Sequence, residues 1–316
     1  MALGRQDAAV TVAQGRAQVF RLAGFLGDDQ RRHAPEDTGL KETEQEHARD
    51  QHGFRHGAVA AALAGLTILA GVPAAHAERP LLPGVGLGDR RTPVDAAADP
   101  WRSVVRVQTN LAGRCTGALV GRRTVVTAGH CLFNPRTRRF LQASSLHVLF
   151  GYDRGEYTRH VTVARVATDP AYDPAAATPM LGGDWAILTL AEPAPDQVPP
   201  LPVSVAPLRP GTPLMLGGYS QDRAQILMAD SACRLLGENG GLLVHDCDAT
   251  RGTSGGPLLV RTAGGAGTDG IGASGGGWAV AGVGVAAGNA PAVRNFAVPA
   301  AHFAALLAKD TAAGQP

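Results

Sequence analysis

Four cysteines in 316 residues are too few for a disulfide scaffold, so the fold must rest on an ordinary core with at most two staples. Net charge of one sign is also lacking. Twenty-nine Lys and Arg stand against 27 Asp and Glu, a formal +2, which points to no nucleic-acid partner. Long apolar runs are scarce. The main one, residues 57–72, is Ala- and Gly-rich and at the short end for a membrane span. What abounds is punctuation: 41 Gly and 22 Pro favour many short strands and turns over long helices. The length allows one large or two ordinary domains with a substantial core.

Residues 1–52 are polar, mixed in charge and without a sustained apolar period. They are expected to be disordered, or to lie upstream of the true start. Residues 53–77 read as a signal peptide, with Arg55-His56 as basic n-region, the run 57–72, and Ala75-His76-Ala77 as an Ala-x-Ala cleavage site. The mature chain would start near Glu78. An uncut membrane anchor is the alternative. Export would make the protein secreted or periplasmic, with only transient membrane passage, and would permit disulfides. Residues 78–100 carry Pro, Gly and charge without periodicity and read as a pro-segment or N-terminal arm.

From Trp101 onward the pattern has period two. Strands are predicted at 103–109, 114–120, 124–128, 146–150, 158–167 and 185–190, with a basic surface loop at 134–140. A Pro-rich connector spans 191–213. Six more strands follow at 214–219, 225–232, 242–246, 257–260, 278–285 and 295–298. Residues 263–277 read as a flexible glycine-rich hairpin loop, and 300–309 as a closing C-terminal helix. Short strands in this number suggest an all-β barrel or sandwich architecture, divided into 101–195 and 196–316.

Three short segments carry chemistry: Thr127-Ala128-Gly129-His130-Cys131, Gly183-Asp184-Trp185-Ala186-Ile187-Leu188 and Gly252-Thr253-Ser254-Gly255-Gly256-Pro257. A serine hydroxyl is a poor nucleophile at neutral pH. It needs an imidazole to take its proton, and that imidazole needs a fixed tautomer. His130 is the candidate base, Asp184 the orienting carboxylate and Ser254 the nucleophile. Asp169 and Asp173 compete locally for the carboxylate role. Glycines beside Ser254 would let the backbone N–H groups of Gly252 and Ser254 point at one spot as an oxyanion hole. A metal site lacks a second ligand cluster, and no cofactor motif is present. Ser274, in a similar Gly-rich pattern, reads as linker.

These segments, with Cys115-Thr116-Gly117-Ala118-Leu119-Val120, resemble the trypsin/chymotrypsin-like serine endopeptidases, and most nearly their compact bacterial branch with its glutamyl-endopeptidase-like enzymes. The resemblance covers roughly residues 100–303. It implies two six-stranded antiparallel β-barrels, an active site in the cleft between them, and protein or peptide substrates. Nothing in the sequence suggests an obligate assembly, so a monomer is expected. It also implies a Cys115–Cys131 disulfide, which leaves Cys233 and Cys247 as a second pair. Asp248 stands six residues before Ser254, where trypsin-like enzymes place the carboxylate that selects Arg or Lys. It reads equally as a strand-end aspartate bonding backbone. The pocket walls would come from Ala249, Thr250 and Arg251 and from 283–288, including Val285, Ala286 and Ala287. Gly282 and Gly284 both fit the register of that second wall.

Three departures from the family accompany the resemblance. Gly129 stands where alanine is usual, and Thr253 stands where zymogens carry the aspartate that pairs with a new N-terminus. The Arg-Ile-Val-Gly-Gly activation motif is missing, so a preformed site is expected. Two other readings remain: a catalytically silent barrel protein, and an α/β-hydrolase esterase suggested by Gly252-x-Ser254-x-Gly256. That fold places its acid and histidine after the serine, the reverse of the order here.

Overall fold

A computed structural model of the chain describes residues 82–262, 277–288 and 293–313, with side chains up to residue 308 in the last segment. The expectations for residues 1–52, for the signal segment 53–77 and for the glycine-rich tract with Ser274 lie outside the described residues. Among the described residues, no helix is long and apolar enough to cross a membrane.

The strands follow in chain order. They are β1 (Thr92–Pro93), β2 (Val104–Thr109), β3 (Arg114–Gly121), β4 (Thr124–Thr127), β5 (Phe133–Asn134), β6 (Arg139–Phe140), β7 (Leu146–Phe150), β8 (Arg159–Thr168) and β9 (Ala186–Leu190). Beyond the Pro-rich connector come β10 (Pro213–Gly218), β11 (Met228–Asn239), β12 (Leu242–His245), β13 (Pro257–Arg261), β14 (Trp278–Ala286) and β15 (Asn295–Pro299). Helix α1 (Ala301–Ala313) ends the described chain.

Strands β2, β3, β4, β9, β8 and β7 close in that order into an antiparallel barrel. Period-two patterning explains its interior. Val161 and Val163 of β8 are buried while Thr162 and Ala164 between and after them are exposed. Val105, Leu119, Val125, Val148, Phe150 and Leu188 fill the same core. The second sheet runs β11-β10-β13-β14-β15-β12, and β12 pairs back onto β11, closing a second six-stranded ring. Leu214, Leu235, Leu243, Leu258 and Ala297 fill it. A third apolar cluster joins the barrels, drawing Val126 and Ile187 from the first and Met215, Val280 and Val298 from the second. Phe303 of α1 packs into this cluster, 6.1 Å from the ring of Trp185.

Three elements differ from the sequence expectation. The strand predicted at 225–232 is β11, which starts three residues later and runs on to Asn239. Register shifts at 214–216 and 235–237 interrupt its pairing, so one long bent strand bonds β10 with its first part and β12 with its second. The basic surface loop contains a small hairpin, β5–β6, whose Phe133 and Phe140 rings meet edge to face at 5.6 Å. The unpatterned stretch before Trp101 is tied into the second barrel. Thr92 and Pro93 pair with Ala229 and Met228, adding β1 to the edge of β11. Val94 and Ala96 pack against the cluster between the barrels and Val85 is buried, but these apolar residues follow no regular spacing, which is why periodicity did not reveal the element. Arg91 is buried and makes paired hydrogen bonds to both Asp89 and Asp222, at 2.8–3.1 Å.

Candidate active site

His130 stands on a single 3-10 turn, Gly129–Leu132, directly after β4. The β4–β9 ladder pairs Thr127 with Ala186, so the chain leaving β4 meets the chain entering β9. That register delivers Asp184, two residues before Ala186, to His130. Asp184 is 1% exposed. Its Oδ1 accepts the backbone N–H of His130 at 2.8 Å, and its Oδ2 lies 2.7 Å from the ring Nδ1. One carboxylate thus holds both the backbone and the ring. With Asp184 ionised, Nδ1 carries the hydrogen and Nε2 keeps its lone pair for another partner. Burial works against a charged imidazole, but the Asp184 carboxylate outweighs it, and the ring titrates above its ordinary value.

Asp169 and Asp173 are occupied elsewhere. Each accepts a backbone N–H two residues on, from Ala171 and Ala175 at 2.8 Å, in local turns. The Cys115–Cys131 disulfide is formed, with Cα atoms 6.1 Å apart, and ties β3 to the turn bearing His130. A loop of this size is worth about 3 kcal/mol by chain entropy. Cys233–Cys247 is formed as well. Cys115, His130 and Cys131 are the potential metal ligands that lie together among the described residues, but both sulfurs are committed to the disulfide, so neither is a thiolate.

The loop 249–256 carries Ser254 and is pressed against the first barrel. The Ser254 carbonyl accepts the N–H of Thr116 at 2.8 Å and lies 3.8 Å from Cys131 Sγ. Thr116 Oγ1 donates to the Gly252 carbonyl at 2.9 Å and accepts the N–H of Tyr219 at 2.9 Å. One threonine of β3 therefore pins both ends of the tight turn. Gly252 and Gly255 adopt φ of +89° and +83°, and a Cβ on Gly255 would strike the Thr116 carbonyl and Thr127 Oγ1. Only glycine fits there, and this close approach places Ser254 beside the His130 turn.

Within the loop, the N–H groups of Thr253, Gly255 and Gly256 bond to the carbonyls of Thr250, Gly284 and Thr253. Those of Gly252 and Ser254 have no backbone partner among the described residues. They are the two donors that the sequence assigned to an oxyanion hole. Among the described residues no hydrogen bond yet joins Ser254 Oγ to the His130 ring. Such bonds commonly tighten only when substrate is bound.

Of the expected pocket residues, Ala249, Thr250 and Arg251 lie in this loop, and Val285, Ala286 and Ala287 follow Gly284 along the chain. Ala249, Thr250 and Val285 are buried, Ala286 and Ala287 are half-buried, and Arg251 is exposed. Gly284, not Gly282, is the register neighbour, since it exchanges hydrogen bonds with Gly255 and Gly256. Asp248 is 3% exposed, and both its oxygens are taken by the N-terminal arm. Oδ1 accepts the N–H of Gly86 at 2.8 Å, and Oδ2 that of Arg90 at 2.7 Å. The Arg90 side chain reaches Asp230 at 2.9 Å and Asp248 at 3.8 Å. Asn295 Nδ2 donates to the carbonyls of Gly84 and Cys247 at 2.9 and 2.7 Å, joining the arm to the strand end that carries Asp248. Sequence reasoning pointed to an arm or pro-segment at 78–100 but missed its contacts, along with Thr116 and Asn295; no periodic signal marks a single polar residue whose partners lie far away in the chain.

Comparison with known proteins adds matches of three kinds. The trypsin family model matches residues 89–304. Over 56 residues the chain is 36% identical to the glutamyl endopeptidase of Bacillus licheniformis, which covers 18% of this chain and 17% of that protein. Over 132 residues it is 30% identical to an inactive serine protease of Xenopus tropicalis, 38% of this chain and 18% of that one. The chain thus spans under a fifth of the length of either curated relative. A solved Glu endopeptidase in complex with MPD superposes with a TM-score of 0.58 at 19% identity, over 70% of this chain and 96% of the other. At that identity the likeness speaks for the fold, two antiparallel barrels and a C-terminal helix.

Proposed function

The chain belongs to the trypsin family, and we propose that it is a secreted serine endopeptidase that hydrolyses peptide bonds through Ser254, His130 and Asp184. His130 Nε2 takes the Ser254 proton as Oγ attacks the scissile carbonyl. The N–H groups of Gly252 and Ser254 receive the developing oxyanion, a pair of donors aimed where charge appears. His130 then protonates the leaving amine, and water, activated by the same ring, releases the acyl group. Asp184 stabilises the imidazolium without taking its proton. The observation that carries this reading is the double hold of Asp184 on His130, at 2.8 and 2.7 Å.

Two further features support it. Among the described residues the amides of Gly252 and Ser254 have no backbone partner while those of their neighbours do, which leaves both available to an oxyanion. Thr253 is buried with its methyl against Gly218, which suits a site preformed without a new N-terminal ion pair. Export is supported by the two disulfides and by the Ala-x-Ala pattern at 75–77. N-terminal sequencing of exported protein tests that part, with a start near Glu78 as the expected result.

One matched relative is named inactive, so a silent binding protein is the second reading. It conflicts with the retention here of all three side chains. The α/β-hydrolase alternative does not fit, because both barrels are antiparallel rings and no crossover helix joins their strands among the described residues. A fluorophosphonate probe decides the matter. Ser254 should be labelled, and Ser254→Ala should abolish labelling and lower turnover by roughly four to six orders of magnitude. A folded wild-type protein that resists the probe would leave the silent reading standing.

A further inference from the structure

We propose that four arginines of the first barrel, Arg114, Arg136, Arg138 and Arg139, form a cationic rim on the leaving-group side of the cleft and favour substrates with Asp or Glu just after the scissile bond. This rests on the proteolytic reading above and narrows its substrate class. The near-balanced net charge conceals a segregation: residues 100–152 carry eight arginines and no Asp, Glu or Lys. Four of the eight are spent within the fold. Arg102 and Arg122 pair with Asp99 and Asp196, Arg106 is buried and donates to the Ala224 carbonyl at 2.7 Å, and Arg123 donates to the Ala191 carbonyl at 2.9 Å. The other four are exposed, and among the described residues none of them forms an ion pair, although Arg90, Arg91, Arg154, Arg159 and Arg223 all do.

Both segments that carry these four start from the contacts of Ser254. Arg114 opens β3 two residues before Thr116, so it shares the strand face from which Thr116 bonds Gly252. The next residue, Cys115, is bonded to Cys131, whose Sγ lies 3.8 Å from the Ser254 carbonyl. Hairpin β5–β6 begins two residues after Cys131 and holds Arg136, Arg138 and Arg139 at and beside its turn. Arg138 has φ of +53°, a left-handed conformation that usually falls to glycine or asparagine, so backbone preference does not account for an arginine there. Its Nη2 donates to the Ala175 carbonyl at 3.2 Å, which fixes the turn. Asp169 and Asp173, in that facing segment, each spend an oxygen on a local backbone N–H. Ser254 separates this rim from the expected pocket. Its carbonyl is bonded to Thr116 of the first barrel, while Gly255 and Gly256 bond Gly284 of the pocket wall in the second. An acyl group seated between 249–251 and 283–288 thus directs the leaving peptide toward the arginines. Acidic side chains there meet charges with no internal carboxylate to compete. Each exposed pair contributes little, so the selectivity comes from the four together and is sensitive to salt.

The test uses two quenched fluorescent peptides built on one cleaved sequence, with Asp-Glu or Asn-Gln at the second and third positions after the scissile bond. At low salt the acidic peptide should be favoured about tenfold in kcat/KM, chiefly through KM, the sum of several weak exposed pairs. At about 0.5 M NaCl the ratio should shrink toward one, because the charges are screened. Arg114→Gln and the triple variant Arg136→Gln/Arg138→Gln/Arg139→Gln, checked for folding by circular dichroism, should each lower the low-salt ratio, and the four changes together should bring it near one. Should the triple variant not fold, Arg136→Gln/Arg139→Gln, which keeps the Arg138 contact, replaces it. A wild-type ratio near one at low salt, a ratio unmoved by the substitutions, or a preference for acids only before the scissile bond would overturn the proposal while leaving proteolysis intact. So would a rim that retains the protein on heparin without affecting the peptide ratio, since it would then serve a polyanion. Wild-type protein inert to the fluorophosphonate probe would instead sink the proteolytic reading itself.

Discussion

The two halves of the site are held by different physics. In the first barrel, His130 and Asp184 sit at the ends of neighbouring antiparallel strands, and one ladder register brings them together. A disulfide steadies the same turn. In the second barrel, the loop with Ser254 follows no ladder. It is held by Thr116 across the cleft and, through the strand end at 247–249, by an N-terminal arm whose anchor lies 162 residues from it. Sheet pairing, with one disulfide, builds the proton-handling half. The nucleophile half needs polar groups drawn from both barrels and from the arm, so the two halves should fail in different ways.

The largest expected effect breaks the first half only. Asp184→Asn should leave the barrels folded, because an amide fits the same space, but it favours the wrong imidazole tautomer. A fall in kcat of about 10⁴ is expected, with the thermal midpoint little changed; steady-state kinetics beside calorimetry reads both.

Next comes the arm. Arg91→Ala removes four charge-assisted hydrogen bonds and leaves Asp89 and Asp222 with Arg223, at 2.9 and 3.9 Å, a loss on the order of 2 kcal/mol. Denaturant unfolding should show it, and hydrogen exchange should quicken first at 84–94. If the arm stays protected in the variant, the ion pairs are not what holds it.

A pH experiment separates the barrels again. His245 ends β12, is fully buried, and neither ring nitrogen has a hydrogen-bond partner among the described residues. Burial pushes its pKa from 6.5 down to about 4, with Asp246 opposing weakly. Above pH 6.5 the ring is neutral whether folded or not, and the full stability is present. Between that value and about 4 only the unfolded chain binds the proton, so stability falls as pH falls through this window. The integrated loss is about 3 kcal/mol, and His245→Leu should flatten the slope. His130 behaves oppositely: its raised pKa adds stability that is fully present at low pH and fades as pH rises through its folded value.

The smallest effect concerns specificity. Asp248 has both oxygens on arm amides. Asp248→Asn should therefore loosen 86–90 in hydrogen exchange without altering the ratio of Arg and Lys to other residues cleaved from a peptide library. A basic preference that collapses in this variant would show that Asp248 reads substrate after all.

Much of this molecule could be read along the chain. His130, Asp184 and Ser254 each stand in a distinctive local string. Alternating burial marks β8 and part of β11, because side chains of a strand change face at every residue, whereas β2, β4, β9 and β14 are buried almost throughout and show as short apolar runs. Where the reading stopped, the cause was distance. Thr116 looks like any strand threonine until Gly252 and Tyr219 arrive beside it. The continuation of β11 past 232 is concealed by two register shifts.

The linear order of residues by itself decided the strand periodicity, the Cys and Gly positions and the identity of the groups that carry chemistry. Only the tertiary structure decided which carboxylate meets the imidazole, which glycine borders the nucleophile loop, and that Asp248 grips the arm. Local patterns arise from backbone geometry repeated every few residues, whereas a hydrogen bond between distant residues exists only after barrel closure has brought them within about 3 Å.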